Sequence, residues 1–171
     1  KGKNNFKNFL EFSMISNTTV SVSTSGENGS VRASLSYLYD KNQYPNTHKS
    51  KFSYNIGGDL KLGKKASLEG NLNFTHESAP NTAGYGYGTG YMYNILMWTG
   101  PEYDLREYKD YWLIPNEKQN WHYTDWYDNP YFEAYEKIKA INNFTTNGSL
   151  SFKYEILPWL KLQMRTGGVY N

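Results

Sequence analysis

Regular alternation of apolar and polar residues is the feature that most restricts what this chain can fold into. In the segment 31–39 every second residue is apolar or aromatic, and three of the four residues between them are polar. A period of two places successive side chains on opposite faces of a β-strand and is incompatible with an amphipathic helix. One face of this segment carries Val31, Ala33, Leu35, Tyr37 and Tyr39, and the other carries Arg32, Ser34, Ser36 and Leu38.

The same alternation predicts six strands, near residues 18–25, 30–40, 50–62, 66–76, 144–156 and 160–169. Short turns at 26–29, 63–65 and 157–159 join three pairs of these strands. A connection of intermediate length follows the second strand. A long loop at 77–143 follows the fourth and has room for short helices near 91–97 and 130–139.

The charged side chains of the six predicted strands all fall on the polar faces. A Lys or Arg on the lipid side of a membrane strand costs about 2–4 kcal/mol at the midplane. Outer-membrane barrels also alternate short turns with long external loops. The predicted fold is therefore all-β, with antiparallel strands forming part of a transmembrane β-barrel and one long external loop. A soluble β-sandwich is the alternative, because its strands alternate as well.

Composition narrows the class of partner. Aromatic residues make up 18% of the chain but hydrophobic residues only 38%, which is a thin supply for a thick core. The net charge of +2 does not favour nucleic-acid binding. The absence of cysteine excludes disulfides and thiolate metal sites within this sequence.

Six strands are too few to close a single-chain membrane barrel, which needs at least about eight. Unpaired strand edges are not tolerated in lipid. The sequence also begins at Lys1 with no secretory signal. These observations predict that the chain is an internal stretch of a larger protein.

Four short phrases carry a resemblance to a family. They are NTTVSVS (17–23), VRASLSYL (31–38), DNPY (128–131) and LPWLKL (157–162). Their order and spacing resemble the barrel of SusC/RagA-type TonB-dependent outer-membrane transporters. Nothing in the chain corresponds to that family's plug or TonB-binding segment.

The resemblance implies a barrel of about 22 strands with a plug in its lumen. It further implies a location in the outer membrane of a Gram-negative, Bacteroidota-like cell. The expected function is uptake of oligosaccharides or peptides with a SusD-like surface lipoprotein as partner, driven by TonB through parts of the protein absent here.

The long loop holds more than half of the aromatic residues, interleaved with acidic and amide side chains. Flat rings beside polar groups suit the binding of sugars or peptides, although the same rings also pack a loop or a partner interface. The predicted substrate-binding residues are Trp98, Trp112, Trp121, Trp126, Tyr103, Tyr111, Tyr127, Asp104 and Asp125. The predicted lumen-lining residues are Arg32, Asp59, Glu69 and Arg165.

No constellation of residues predicts catalysis, a cofactor or a metal. His48, His76 and His122 are far apart and lack metal-ligand spacing. The glycine-rich run at 84–88 lacks the lysine of a phosphate loop and is interpreted as a flexible external loop. The chain is predicted not to be an enzyme. A secreted, aromatic-rich β-domain that binds glycans is the alternative function, and a barrel-type enzyme is a third.

Overall fold

The computed structural model describes residues 1–87 and 90–171 and consists mostly of antiparallel β-sheet. The strands are β1 Met14–Gly26, β2 Gly29–Lys41, β3 His48–Leu62, β4 Ala66–Asn81, β5 Trp112–Ile114, β6 Lys118–Gln119, β7 Ile141–Leu157 and β8 Leu160–Tyr170. The helices are α1 Asn5–Phe9, α2 Tyr91–Trp98 and α3 Pro130–Tyr135, and a 3₁₀ helix spans Leu105–Tyr108. No helix in the described ranges is long and apolar enough to cross a membrane.

Six strands form one sheet in the order β1-β2-β3-β4-β7-β8. The order of the strands along this sheet is the same as their order along the chain. Strands β5 and β6 form a separate two-stranded sheet inside the long connection. The β7–β8 register pairs Phe152 with Met164 and Lys153 with Gln163. Apolar residues therefore face apolar residues, and polar residues face polar ones, as the alternation predicts.

The chain divides into two compact units. The loop unit consists of Lys1–Ile15, Tyr39–Lys49 and Ala79–Ile141. The sheet unit consists of Ser16–Leu38, Ser50–Ser78 and Asn142–Asn171. All of the buried hydrophobic side chains in the described part of the chain belong to the loop unit.

The sheet unit therefore lacks a hydrophobic core of its own. Most of its apolar side chains lie on one face, and many of them are exposed, with Val22 at 69%, Leu150 at 47% and Met164 at 56%. Every residue of β1 and β8 is exposed, and these two strands form the edges of the sheet.

Two turns of the sheet unit depend on glycine. Gly29 at the start of β2 has φ +153°, and a Cβ there would lie 2.1 Å from the Asp59 carbonyl oxygen. Gly63 between β3 and β4 has φ +71°, a left-handed conformation that glycine adopts without strain. Both turns lie where the sequence predicts them.

The loop unit has a conventional core built around aromatic rings. Phe9 of α1 packs edge-on against Tyr91 at 5.2 Å and against Tyr131 at 5.0 Å between ring centroids. The remaining buried members are Ala83, Ile95, Leu105, Trp121 and Ala134. The long connection thus packs around Phe9 of α1 to form a buried interior.

Several predicted boundaries differ from the structure. The long connection spans 82–140 rather than 77–143, because β4 continues to Asn81 and β7 begins at Ile141. Backbone pairing explains the extension, since the Thr82 N–H donates to the Lys139 carbonyl at 3.0 Å. The first strand begins at Met14 rather than near 18, and α3 ends at Tyr135 rather than near 139.

Candidate functional site

Helix α2 presents two apolar faces, and only one of them is buried. Tyr91 and Ile95 enter the core of the loop unit at 3% and 1% exposure. The opposite face carries Met92, Leu96 and Met97, which are 53%, 60% and 62% exposed. A surface helix ordinarily turns polar residues outward, so this exposed apolar face requires an explanation.

The exposed face of α2 forms one wall of a pocket with a volume of about 540 Å³. The glycine-rich segment 84–87 and Tyr44 also line this pocket. We call this the α2 pocket; its described lining residues are Tyr44, Gly84, Tyr85, Gly86, Tyr87, Gly90, Met92, Tyr93, Leu96 and Met97. The volume falls within the range of roughly 300–1,000 Å³ that is usual for small-molecule sites.

Close backbone approach holds the segment 84–87 against the start of α2. Gly86 has φ +85°, and a Cβ on Gly90 would lie 2.2 Å from the Gly86 carbonyl oxygen. A side chain at Gly90 would therefore displace backbone, whereas a Cβ on Gly86 meets no atom within 4 Å and is disfavoured only by the left-handed conformation. The interpretation of the run 84–88 as a flexible external loop stays a prediction; Gly84 is buried, residues 85–87 are exposed, and Gly88 lies outside the described residues.

A chain of aromatic rings extends from this pocket. Tyr87 and Tyr93 of the lining lie 5.0 Å apart, and Tyr127 lies 6.2 and 6.3 Å from them. Trp98 stacks on Tyr127 at 5.6 Å and lies 5.4 Å from Tyr123. We call Tyr87, Tyr93, Trp98, Tyr123 and Tyr127 the ring cluster.

The described lining of the α2 pocket contains no charged side chain. Its polar groups are phenols and backbone amides. Burial raises the pKa of Tyr44 above its ordinary value. The pKa of Tyr127 is raised to about 12, mainly by a hydrogen bond with Tyr87 and secondarily by burial. These tyrosines are therefore neutral at physiological pH, and the site can offer flat apolar surface and neutral hydrogen bonds but no counter-charge.

Of the predicted substrate-binding residues, only Trp98 and Tyr127 belong to the ring cluster. Trp126 is 77% exposed and Asp125 is also exposed, but neither lines the pocket. Tyr111 stacks on Tyr135 at 6.0 Å and Trp112 packs edge-on against Phe132 at 5.2 Å, which places both in a separate aromatic group.

Three other predicted substrate-binding residues have contacts that serve the fold. Trp121 is buried in the core at 7% exposure, and Tyr103 stacks on His122 at 3.8 Å. Asp104 accepts hydrogen bonds from the backbone and guanidinium of Arg106 at the start of the 3₁₀ helix. The hydrogen bond from the Arg106 side chain is the main reason why the pKa of Asp104 falls to about 2.

The predicted lumen-lining residues lie on the polar face of the sheet unit, where two of the four form cross-strand bonds. Asp59 accepts a hydrogen bond from Ser30, and Glu69 pairs with Lys153 at 3.1 Å. Arg165 lies opposite Ser151 in the β7–β8 register. Arg32 is exposed on β2.

Sequence reasoning missed the methionine and leucine side of the α2 pocket, and it missed Tyr44. The available signal was in 91–98, where apolar residues occupy both faces of a short helix. Such a pattern indicates either full burial or a ligand surface.

No protein-family model matches the chain, and no curated protein matches it significantly. Within residues 1–87 and 90–171, no cluster of three or more His, Asp or Glu side chains could hold a metal ion.

Proposed function

We propose that this chain is part of an outer-membrane nutrient importer resembling the SusC/RagA transporters. In this proposal the sheet unit belongs to the barrel wall and the loop unit to the external vestibule. The importer takes up oligosaccharides or peptides, with a SusD-like lipoprotein on the outer face and TonB acting through another part of the protein. Its role is transport and not catalysis.

One observation carries the proposal: the sheet unit has an exposed apolar face without a single Lys, Arg, Asp or Glu. Aliphatic side chains recur across the strands, with Leu35 at 43%, Leu60 at 46% and Leu72 at 45% exposure. Soluble monomers rarely expose contiguous apolar patches larger than a few hundred Å². Lipid would cover this face and would also exclude charge from it.

The opposite face of the sheet unit has the chemistry of a surface in contact with water. The Asn73 side chain links β4 to both neighbouring strands, hydrogen bonding to Asn55 on one side and donating to Asn147 at 2.9 Å on the other. Gln163 donates to Ser151 at 3.2 Å between β7 and β8. Such polar rows suit the lumen of a transporter.

The apolar face also has aromatic groups near one end. Phe144 lies 6.3 Å from Phe74, and His76 stacks on Phe144 at 4.1 Å with an interplanar angle of 3°. The ring nitrogen Nε2 of His76 is 2.7 Å from Oδ1 of Asn142. A change from rings to polar groups along one face supports a membrane–water boundary at this level.

The edges of the sheet lead to the same proposal. β1 and β8 present unpaired backbone groups, which are a template for further pairing. In lipid each such group must be satisfied. We propose that further strands of the same polypeptide pair with both edges and close the barrel.

Spin labels on adjacent residues of β4 test the proposal. Leu72→Cys and Asn71→Cys would be made in the intact protein and labelled with a nitroxide in native membranes. Leu72 lies on the apolar face and Asn71 on the polar face, so oxygen should relax the first label and a water-soluble nickel chelate the second. If the nickel chelate relaxes both labels equally, lipid does not cover the apolar face.

A third result would favour the alternative function. If the protein is soluble and the Leu72 label is shielded from both relaxing agents, another protein layer covers the face. The chain would then be a soluble, aromatic-rich β-domain. The intact mass of the purified polypeptide gives an independent check, since the importer predicts a value several times the 19.8 kDa of this sequence.

A further inference from the structure

We propose that the α2 pocket binds an aromatic side chain of a peptide, and not a sugar or a charged group. The pocket itself is independent of the importer assignment. The statement that its ligand is a transported peptide rests on the proposed function.

The chemistry of the lining carries the choice of ligand. Met92, Leu96 and Met97 supply the α2 wall, and these side chains have no hydrogen-bonding group stronger than a thioether. A sugar would lose the hydration of its hydroxyls against this wall without replacement, which is costly. A charged group would lose more, because the described lining offers no partner of opposite sign. An uncharged aromatic ring loses little hydration and gains contact.

The rings of the lining suit an aromatic ligand in geometry as well as polarity. Tyr44, Tyr85, Tyr87 and Tyr93 surround the cavity. Offset or edge-to-face contact between rings is favourable beyond the burial of area. The two methionines bend to fit rings of different shape and make favourable sulfur–ring contacts.

The exposed lining is held in place by buried groups behind it. The Asn94 side chain donates to the Asp128 carbonyl at 2.8 Å, and Ile95 is 1% exposed. The Asn94 N–H donates to the Gly90 carbonyl at 3.0 Å at the first turn of α2. A ligand that enters the pocket therefore meets an α2 wall that is already ordered, which reduces the entropic cost of binding.

Part of the pocket lining is exposed. Tyr85 and Tyr87 are 71% and 77% exposed, although both line the cavity. Burying such rings is favourable. A bound ring in contact with α2 and with the segment 84–87 would cover part of both. Phenols and backbone amides at the rim can bind the peptide backbone of the ligand.

The test compares three probes on the intact protein held in lipid nanodiscs. The probes are N-acetyl-phenylalaninamide, N-acetyl-lysinamide and maltotriose, and binding is followed by saturation-transfer NMR. We expect the phenylalanine amide to bind at least tenfold more tightly than either of the others. Leu96→Glu places a carboxylate in the lining and should weaken that binding at least tenfold.

Leu113→Glu provides the matched control. Leu113 is 57% exposed in β5 of the same unit, but it does not line the pocket. This variant should bind the phenylalanine amide like the unsubstituted protein. Hydrogen exchange in α2 would show that both variants remain folded.

Three results would overturn the inference. The first is that the phenylalanine amide does not bind. The second is that Leu96→Glu leaves its binding unchanged. The third is that maltotriose binds more tightly than the phenylalanine amide and that Leu96→Glu weakens the binding of maltotriose. None of them bears on the importer assignment, which depends on the labels at Leu72 and Asn71. Conversely, if the protein is soluble and binds the phenylalanine amide, the proposal for the α2 pocket stands and the importer proposal is refuted.

Discussion

Replacing Asn129 by alanine should unfold the region around α3 preferentially. Asn129 is fully buried and precedes α3 as its N-cap, where its Oδ1 accepts from the Tyr131 N–H at 2.8 Å. Its Nδ2 donates to the carbonyls of Tyr108 and Asn120 at 2.9 and 2.7 Å. One side chain thus joins the helix to two other segments of the loop unit.

The magnitude follows from these three bonds. Loss of an asparagine N-cap costs about 1 kcal/mol. The two carbonyls would lose a buried donor, at about 1 kcal/mol each or more. The sum is about 3 kcal/mol, which corresponds to a roughly hundredfold change in an opening equilibrium. Hydrogen exchange followed by mass spectrometry on the intact protein measures that opening in peptides that cover 119–135.

Asn129→Asp separates the cap from the bridging bonds. An aspartate keeps the acceptor for Tyr131 but directs a carboxylate oxygen at two carbonyl oxygens, so its folded pKa should rise above the unfolded value. Stability is then present while the carboxyl is protonated and is lost as the pH rises through the folded pKa. Relative to the alanine variant, the aspartate variant should therefore gain protection from about pH 7 to about pH 4.

Asn143→Ala is the control, because Asn143 is an exposed asparagine of β7 in the sheet unit. It should leave exchange in 119–135 unchanged. The reasoning fails if Asn129→Ala accelerates exchange there by less than roughly threefold, which is under about 0.7 kcal/mol. It also fails if the aspartate and alanine variants respond identically to pH.

Two further predictions concern ionisable groups of the loop unit. Burial is the main cause that raises the pKa of Tyr91 and of Tyr131 from 10.0 to about 12. The loop unit should therefore lose about 1–2 kcal/mol of stability per phenol between pH 10 and 12. Tyr131→Phe should remove the contribution of one phenol, which alkaline unfolding followed by near-ultraviolet circular dichroism would measure. Lys137→Met leaves the buried carboxylate of Glu133 without its partner at 2.7 Å. This change should lower stability by about 1–2 kcal/mol at neutral pH and by less in acid, where Glu133 is protonated. Thermal unfolding should show that stability recovers in the double variant with Glu133→Gln.

The sheet is predictable from sequence because its determinants are local. Alternation at period two fixes which side chains share a face, and the pairing of Tyr154 with Leu162 and of Glu155 with Lys161 follows it. The ends of strands depend on contacts that are far away in sequence. The backbone of Thr82 pairs with Lys139 across 57 positions, so no pattern near Ala79 could indicate that β4 continues.

The loop unit is poorly predictable for the same reason. Helix α1 has five residues, too few to be stable alone. Its position is set by Asn5, whose side chain donates to the Tyr103 carbonyl and accepts from the Leu105 N–H across about a hundred residues. The aromatic content of the connection is visible in sequence, but the burial of each ring is not. Trp121 and Trp126 occur in one short run, yet they are 7% and 77% exposed.

The candidate site shows why residue type alone could locate only a small part of it. Trp98 and Tyr127 are identifiable because aromatic rings commonly bind ligands, although Tyr127 is buried, whereas Met92, Leu96 and Met97 resemble ordinary core residues of an apolar helix. Asn94 lies on the buried face of α2 with Tyr91 and Ile95, and its side-chain amide donates to the Asp128 carbonyl. Asp128 immediately precedes Asn129, the residue that fixes the start of α3. The orientation of the pocket wall therefore depends on the same asparagine-rich connection that holds the core of the loop unit together.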